Sequence, residues 1–94
     1  MTFPITHDTL AHRFEIHVDG QVCALDYDLA KACMTITHTR VPNVLSGQGL
    51  AGSLVREALE TARERGWKVI PACSYARHFI DRHPEYRTLL ASNA

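Results

Sequence analysis

The most informative part of this sequence is Val41-Pro42-Asn43-Val44-Leu45-Ser46-Gly47-Gln48-Gly49-Leu50-Ala51, which joins a predicted strand to a predicted helix. A strand ends at the proline, which cannot donate to a sheet ladder, and the loop after it carries two glycines before a helical repeat begins. The first turn of a helix has unpaired N–H groups at the positive end of its dipole. Glycines let a bulky anion approach that backbone. The stretch therefore predicts either a phosphate-binding loop or a glycine turn that only caps the helix.

Three strands are predicted ahead of this loop. Residues 14–18 alternate between apolar and polar side chains, and Asp19-Gly20 is typical of a hairpin turn. Residues 23–29 alternate in the same way, with Lys31-Ala32 as a brief turn. Residues 33–41 are rich in β-branched side chains and complete the set. The pattern indicates an antiparallel hairpin extended by a third strand.

Side-chain alternation also predicts the faces of the third strand. Met34, Ile36 and His38 are expected on one face, and the three threonines between and after them on the other. Residues 1–11 are polar and aperiodic, so they are predicted to form a loose N-terminal arm.

A strand–helix–strand unit is predicted from the loop onward. Apolar residues recur with helical spacing from Gly49 to Arg65, and Gly66 suits the left-handed position after the helix. The apolar run 67–73 predicts a buried strand, and Ser74 is expected to cap a second helix that extends to about His83. The chain is therefore predicted to be an α/β protein with a mixed antiparallel and parallel sheet, a right-handed βαβ crossover and flanking helices.

Length and composition limit the alternatives. The 94 residues predict one domain, 1–94, and ten basic side chains balance ten acidic ones, which argues against a nucleic-acid binder. No apolar run is long enough for a membrane span, and the N-terminus resembles no secretion signal. Three cysteines without CxxC spacing suit a reducing compartment, so a cytoplasmic location is expected.

The loop and the C-terminal segments together resemble the GNAT superfamily of acetyl-CoA-dependent N-acetyltransferases. Its signature, Q/R-x-x-G-x-G/A after a strand ending near V-x-P, aligns with Ser46 to Ala51. More narrowly, the chain is similar to very short single-domain members with the pattern G-Q-G-L-A … K-V-I-P-x-C-S-Y … R-H-P-E-Y. The resemblance covers residues 12–91 and implies a truncated GNAT fold. By contrast, no Gly-Lys-Ser/Thr P-loop is present, and a dinucleotide-binding fingerprint fits poorly.

The resemblance implies where acetyl-CoA would bind. The pyrophosphate would contact the loop and the first turn of the helix, and the pantetheine arm would lie where the strands 33–41 and 67–73 separate. A backbone N–H near Val41 would polarise the thioester carbonyl. The implied coenzyme-binding residues are Thr39, Arg40, Val41, Ser46, Gly47, Gln48, Gly49, Leu50, Ala51, Gly52 and Cys73.

The sequence departs from the family pattern at three places. Ser46 stands where Arg or Gln is usual, and Ile80 stands where the family's general-acid tyrosine often lies. The two family helices that usually precede the hairpin and help to form the acceptor site are not found in the sequence. We therefore expect a small acceptor, an acceptor presented by a partner, or a homodimer that completes the site.

Three side chains are candidates for catalysis. Cys73 would touch the thioester, protonate the departing thiolate or accept the acetyl group, although free cysteines are commonly small buried hydrophobes. Tyr75 is the replacement acid, unless it only packs on the sheet edge. His38 would deprotonate the incoming ammonium, unless it is a hydrogen-bonded strand histidine.

Other polar residues have simpler interpretations. His78 and His83 share a helical spacing but lack a third ligand, so no metal site is predicted. Arg40, Arg77 and Arg82 would contact the 3′-phosphate of CoA or remain solvated. Asp26 and Asp28 would attract a cationic amine or simply be exposed strand residues.

Three hypotheses for the function follow from these observations. The first is acetyl-CoA-dependent N-acetyltransfer to a primary amine of a small molecule or protein. The second is a non-catalytic acyl-CoA-binding or regulatory module. The third is an interaction protein that keeps only the scaffold.

Overall fold

A computed structural model describes residues 3–91, which form one five-stranded sheet, two α-helices and two short 3₁₀ segments. The elements in chain order are β1 (Thr6–Asp8), β2 (Arg13–Val18), β3 (Gln21–Ala30), β4 (Cys33–Arg40), a 3₁₀ turn (Asn43–Leu45), α1 (Leu50–Arg65), β5 (Lys68–Pro71), α2 (Ser74–Arg82) and a 3₁₀ helix (Pro84–Leu89). The strand order in the sheet is the chain order.

Two tight turns fold the first half of the chain into an antiparallel meander. Asp19 and Gly20 both have positive φ, 49° and 78°, as the type I′ turn between β2 and β3 requires. Lys31 and Ala32 adopt the same conformation between β3 and β4, with φ of 52° and 59°. Both predicted turns are confirmed.

The second half of the chain forms the predicted parallel crossover. β5 pairs with β4 in parallel, from Cys33 opposite Lys68 to Ile36 opposite Pro71, with α1 as the connection. Gly66 has a φ of 72° and donates its N–H to the last turn of α1, which ends the helix as predicted. The α/β class and the mixed sheet are therefore confirmed.

The core lies between α1 and one face of the sheet. The apolar stripe of α1 is buried as predicted, namely Leu50, Leu54, Ala58, Leu59 and Ala62. It meets Phe14, Ile16 and Leu25 of the sheet in a single hydrophobic cluster. The other face of the sheet carries charged side chains, such as Glu15 and Asp28, that are half-buried or exposed.

The N-terminal arm is not loose, as predicted, where the structure describes it. Residues 6–8 form β1, an antiparallel edge strand on β2. His7 stacks on Phe14 with ring centroids 4.0 Å apart, and its Nε2 lies 2.6 Å from the Tyr27 hydroxyl. The prediction was wrong because this strand is held by aromatic contacts with distant residues. Residues 1 and 2 of the predicted arm lie outside the described residues.

The junction between β5 and α2 also differs from the prediction. β5 ends at Pro71 rather than at residue 73, and Cys73, not Ser74, occupies the N-cap position of α2 without a side-chain capping bond. The N–H of Cys73 donates to the carbonyl of Ile36 at 3.0 Å. This bond holds Cys73 to β4, and α2 begins at Ser74, one residue earlier than a Ser74 cap would allow.

A β-bulge in β4 reverses the predicted orientation of its second half. Ile36 pairs with Tyr27 and His38 pairs with the adjacent Asp26, which leaves Thr37 as the extra residue. Because directly opposed residues share a face, His38 lies with Asp26 and not with Ile36. Thr39, opposite the buried Leu25, takes the Ile36 face instead. The prediction that Met34, Ile36 and His38 share a face was therefore wrong.

No helix within residues 3–91 combines the length and the apolar character needed to cross a bilayer.

Candidate functional site

Local hydrogen bonds define the conformation of the loop between β4 and α1. β4 ends at Arg40, two residues before Pro42, and the Pro42 carbonyl accepts a hydrogen bond from the N–H of Leu45 at 2.9 Å in the 3₁₀ turn. Leu45 is buried and anchors this turn to the core. The Ser46 hydroxyl donates to the carbonyl of Asn43 at 2.9 Å. The residues that follow are thereby left at the surface, in front of α1.

Two glycines give the loop its shape. Gly47 and Gly49 have φ of 82° and 75°, in the left-handed region that favours glycine. A Cβ at either position would meet no atom within 4 Å, so both face open space. A cavity of about 320 Å³ adjoins them, lined by Val41, Leu45, Ser46, Gly47, Gly49, Leu50, Ala51 and Tyr75. This volume falls within the range of small-ligand sites.

The first turn of α1 suits an anion in this cavity. Gly49 is the N-cap and has no side chain to satisfy the first N–H groups, and the first turn has no acidic residue. The first intrahelical bond of the helix runs from Ser53 N–H to Gly49 O at 3.0 Å. The amide groups ahead of Ser53 are therefore available at the positive end of a 16-residue helix.

Gly52, a predicted coenzyme-binding residue, allows two helices to approach each other. A Cβ there would lie 3.4 Å from the Tyr75 hydroxyl and 3.7 Å from Cε2 of Phe79. Because Gly52 has no side chain, α1 and α2 can pack closely at this point. The Tyr75 phenol therefore lies against the first turn of α1.

β4 and β5 separate where the family resemblance implies a gap. Their pairing ends at Ile36 and Pro71, while β4 continues to Arg40 along β3. Beyond that point Thr39 Oγ1 lies 3.5 Å from Cys73 Sγ. The half-buried Cys73 thiol therefore lies at the gap, between the end of a strand and the start of α2.

The two predicted catalytic residues after β5 have different neighbours. Tyr75 lines the glycine-loop cavity with 43% of its surface exposed. Cys73 contacts Thr39 and does not line that cavity. Among the predicted coenzyme residues, those brought together around the cavity are Val41, Ser46, Gly47, Gly49, Leu50 and Ala51.

The other residues predicted to bind the coenzyme lie outside this cavity. Thr39, Arg40, Gln48 and Gly52 do not line the cavity, and Gln48 is exposed. Leu45 also lines the cavity and was not among the predicted residues; its signal in the sequence is the apolar pair Val44-Leu45 just ahead of the glycines.

His38 and Arg40 line a second, shallow cavity on the opposite face of β4. It has a volume of about 310 Å³ and is lined by these two residues and Asp26. The Arg40 side chain therefore points away from the glycine loop, because the bulge at Thr37 turns both side chains to this face.

Two further polar residues near α2 have structural roles. The Tyr86 hydroxyl donates to Glu60 Oε2 at 2.6 Å, and burial, followed by this hydrogen bond, raises the pKa of Tyr86. Tyr86 therefore anchors the C-terminal segment to α1. His83 stacks on Phe79 with centroids 4.0 Å apart, and its Nδ1 lies 2.8 Å from that residue's carbonyl. Within residues 3–91 no three metal-ligating side chains cluster.

Comparison with known proteins gives one consistent family. A family model described as GCN5-related N-acetyl-transferase matches residues 13–89. Protein NATD1 of Mus musculus is 26% identical over 84 residues, which cover 85% of this chain and 76% of that protein. Protein NATD1 of Danio rerio is 27% identical over 88 residues, which cover 87% and 79%.

A solved structure has the same fold. The NMR solution structure of a GCN5-like protein from Staphylococcus aureus superposes with a TM-score of 0.75. It is 27% identical in sequence, and the match covers 95% of this chain and 88% of that one.

Proposed function

Because the chain belongs to the GCN5-related N-acetyltransferase family, we propose that it transfers the acetyl group of acetyl-CoA to a primary amine. The observation that carries this proposal is the junction of the glycine-loop cavity with the strand gap. Val41 lines the cavity, and it follows directly on the part of β4 that β5 does not cover. One continuous surface thus offers an anion-binding helix start beside unpaired strand backbone.

The residues around the cavity fit the coenzyme. Its diphosphate needs N–H donors and space without Cβ atoms, which Gly47, Gly49 and the first turn of α1 supply. Its pantetheine amides need backbone partners, which residues 39–41 offer beyond the last β4–β5 pair. The thiol end would then lie toward the gap, where Cys73 is found.

When bound, acetyl-CoA supplies an acetyl group activated as a thioester. A backbone N–H near Val41 would hydrogen-bond to the carbonyl oxygen as negative charge develops on it. The amine would attack directly in a ternary complex, so the chain's main contribution would be to orient both reactants.

Side chains on the two sides of the sheet are candidates to donate and accept protons in this reaction. Cys73 and Tyr75 are the candidates to protonate the leaving thiolate, Cys73 at the gap and Tyr75 beside the loop. His38, on the other face, is the candidate base for the incoming ammonium. Acceptance of the acetyl group by the Cys73 thiol is a separate route, which intact-mass spectrometry after mixing with acetyl-CoA would detect.

One observation favours a second candidate function, a non-catalytic acyl-CoA-binding module. Ile80, at the position where the family's tyrosine acid often lies, is buried in the core and offers no proton. This module would bind the coenzyme without turnover.

Calorimetric titration with acetyl-CoA, followed by a thiol-release assay over a panel of primary amines, tests the proposal. Saturable binding and amine-dependent release of CoA would support acetyl transfer. Binding without release for every amine would favour the binding module. A folded sample that does not bind the coenzyme would contradict both.

A further inference from the structure

A second cavity remains that the coenzyme does not use. It lies on the charged face of the sheet, is lined by Asp26, His38 and Arg40, and has a volume of about 310 Å³. We call it the Arg40 cavity. This volume is large enough for a small molecule.

The Arg40 cavity adjoins the same gap as the glycine loop, from the opposite side. His38 and Arg40 belong to the part of β4 that lies beyond the last pair with β5. Thr39, between them, points to the other face and contacts Cys73. Only the thickness of one strand therefore separates the two sides of the gap.

Charges in the cavity are arranged around one carboxylate. Asp26 Oδ1 accepts a hydrogen bond from Arg13 Nε at 2.7 Å. Asp26 Oδ2 accepts a second one from a terminal nitrogen of Arg40 at 3.1 Å. Arg13 also approaches Glu15 at 3.5 Å. Asp26 is thus compensated by two guanidinium groups, which makes it a poor partner for a further cation.

Arg40 is the group that remains available to a ligand. Its side chain is 61% exposed, and within residues 3–91 it makes one hydrogen bond, to Asp26. A guanidinium has several N–H donors in a planar fork, and the remaining ones suit a carboxylate. Asp26 holds the Arg40 side chain over the cavity from one side.

We propose that the Arg40 cavity binds the acetyl acceptor and that this acceptor is a small amine that also carries a carboxylate. Arg40 binds the carboxylate, and His38, two residues before it on the same face, meets the amine. Residues two apart on a strand are separated by roughly 7 Å, a span that a short amino acid with its hydrogen bonds can bridge. This inference rests on the proposed acetyl transfer and names its substrate class.

The reaction at this site balances as follows. His38 takes one proton from the ammonium, and the neutral amine forms a C–N bond to the acetyl carbon as the C–S bond breaks. The electron pair of that bond leaves with sulfur, and the amine's second proton ends on the thiolate. The products are an amide and free CoA.

Acceptors of matched length, with and without a carboxylate, test the proposal, and the β-alanine pair is the stricter one because its carboxylate perturbs the amine less. Glycine is compared with ethylamine, and β-alanine with propylamine, at saturating acetyl-CoA, with release of CoA as the readout. We expect kcat/KM to be about tenfold or more higher for the carboxylated member of each pair, as a charge-assisted contact implies. Equal values for both members would overturn the proposal and leave acetyl transfer standing.

Variants connect the preference to Arg40. Arg40→Gln is expected to bring the ratio within a pair close to one, and Arg40→Lys to keep part of it, because lysine retains the charge without the fork. Arg87→Gln, an exposed arginine outside both cavities, is the control and keeps the ratio. A full preference in folded Arg40→Gln would contradict the assignment.

Binding is measured independently of turnover. In an NMR titration of the wild-type protein with β-alanine, backbone resonances of Asp26, His38 and Arg40 are expected to shift saturably, and not in Arg40→Gln. Such shifts without acetyl transfer to any amine would overturn the proposed function while supporting a carboxylate site. The absence of saturable shifts would overturn the site and mark the cluster as a surface ion-pair network only.

Discussion

Gly49 combines two roles at a single residue, since it begins α1 and borders the cavity. Its φ of 75° is left-handed, and its missing Cβ leaves open space. Gly66, at the other end of α1, has almost the same φ of 72° and also faces open space, but lies away from the cavity. Substitution of both glycines can therefore distinguish the effect of backbone strain from the effect of lost ligand contact.

We predict that Gly49→Ala lowers the affinity for CoA by about tenfold or more, because a methyl group enters the space the diphosphate would occupy. Gly66→Ala should leave the affinity unchanged. Each variant should lose about 1–2 kcal/mol of unfolding free energy to left-handed strain. Calorimetry gives the affinities and urea unfolding the stabilities. Equal CoA affinity in both variants would remove the phosphate-binding assignment from the loop.

Tyr75 lies against Gly52 and lines the cavity, so its hydroxyl can serve either binding or proton transfer. We predict that Tyr75→Phe lowers kcat more than it raises the Kd for CoA, because the ring still packs while the proton donor is lost. Steady-state kinetics and calorimetry on the same sample measure the two effects. A wild-type kcat with a raised Kd would make Tyr75 a binding residue, and no change in either would return it to packing.

At the scale of the element, the bulge in β4 organises both sides of the site. Thr37 is the inserted residue, and the pairing of β4 with β5 ends at Ile36, immediately before it. A bulge bends its strand and increases its twist. We infer that this bend directs residues 38–41 away from β5.

We predict that deletion of Thr37 weakens CoA binding by about tenfold or more, because a straightened β4 would close toward β5. The pairs that β3 makes with Ile36 and His38 can be retained in the shortened strand, so the domain should still fold cooperatively. Thr37→Val is the matched control, since it removes only the hydroxyl bond to the Asp26 carbonyl. Calorimetry decides, and undiminished affinity in a folded deletion variant would show that the gap does not depend on the bulge.

At the scale of the whole molecule, the first strand is tied to the meander through one histidine. His7 contacts Phe14 and Tyr27 in the part of the chain that joins β1, β2 and β3. Burial, and then the nearby Arg65, lower the pKa of His7 below its ordinary value of 6.5. Between that lowered pKa and 6.5, the unfolded chain binds more protons than the folded one.

We therefore predict that the stabilisation from neutral His7 is complete above about pH 6.5 and is lost as the pH falls through the lowered pKa. Urea unfolding of the wild type between about pH 7.5 and pH 5 should show this loss, and His7→Gln should show less of it. His78→Gln, an exposed histidine of α2, is the control and should follow the wild type. Identical pH profiles for the wild type and His7→Gln would exclude this linkage.

Local patterns predicted much of this fold. Alternation in residues 14–18 and 23–29, two turn dipeptides and a helical repeat bounded by Gly66 act within a few residues of chain, so they can be recognised without a partner. The glycine loop was predicted for the same reason: its left-handed residues and the helix start are neighbours in sequence.

Contacts between distant residues were beyond such patterns. The side on which His38 lies depends on how β4 pairs with β3, since counting along one strand does not reveal a bulge. The strand formed by residues 6–8 is held by contacts with Phe14 and Tyr27, which lie farther along the chain. Cys73 and Tyr75 have different neighbours because of the way α2 packs.

The α/β class, the crossover and the glycine-bearing start of α1 could be predicted from the sequence, because each depends on short-range geometry. Which side chains lie together at the gap, and which line the Arg40 cavity, became known from the folded chain alone. These relations follow from strand register and helix docking, which join residues far apart in the chain.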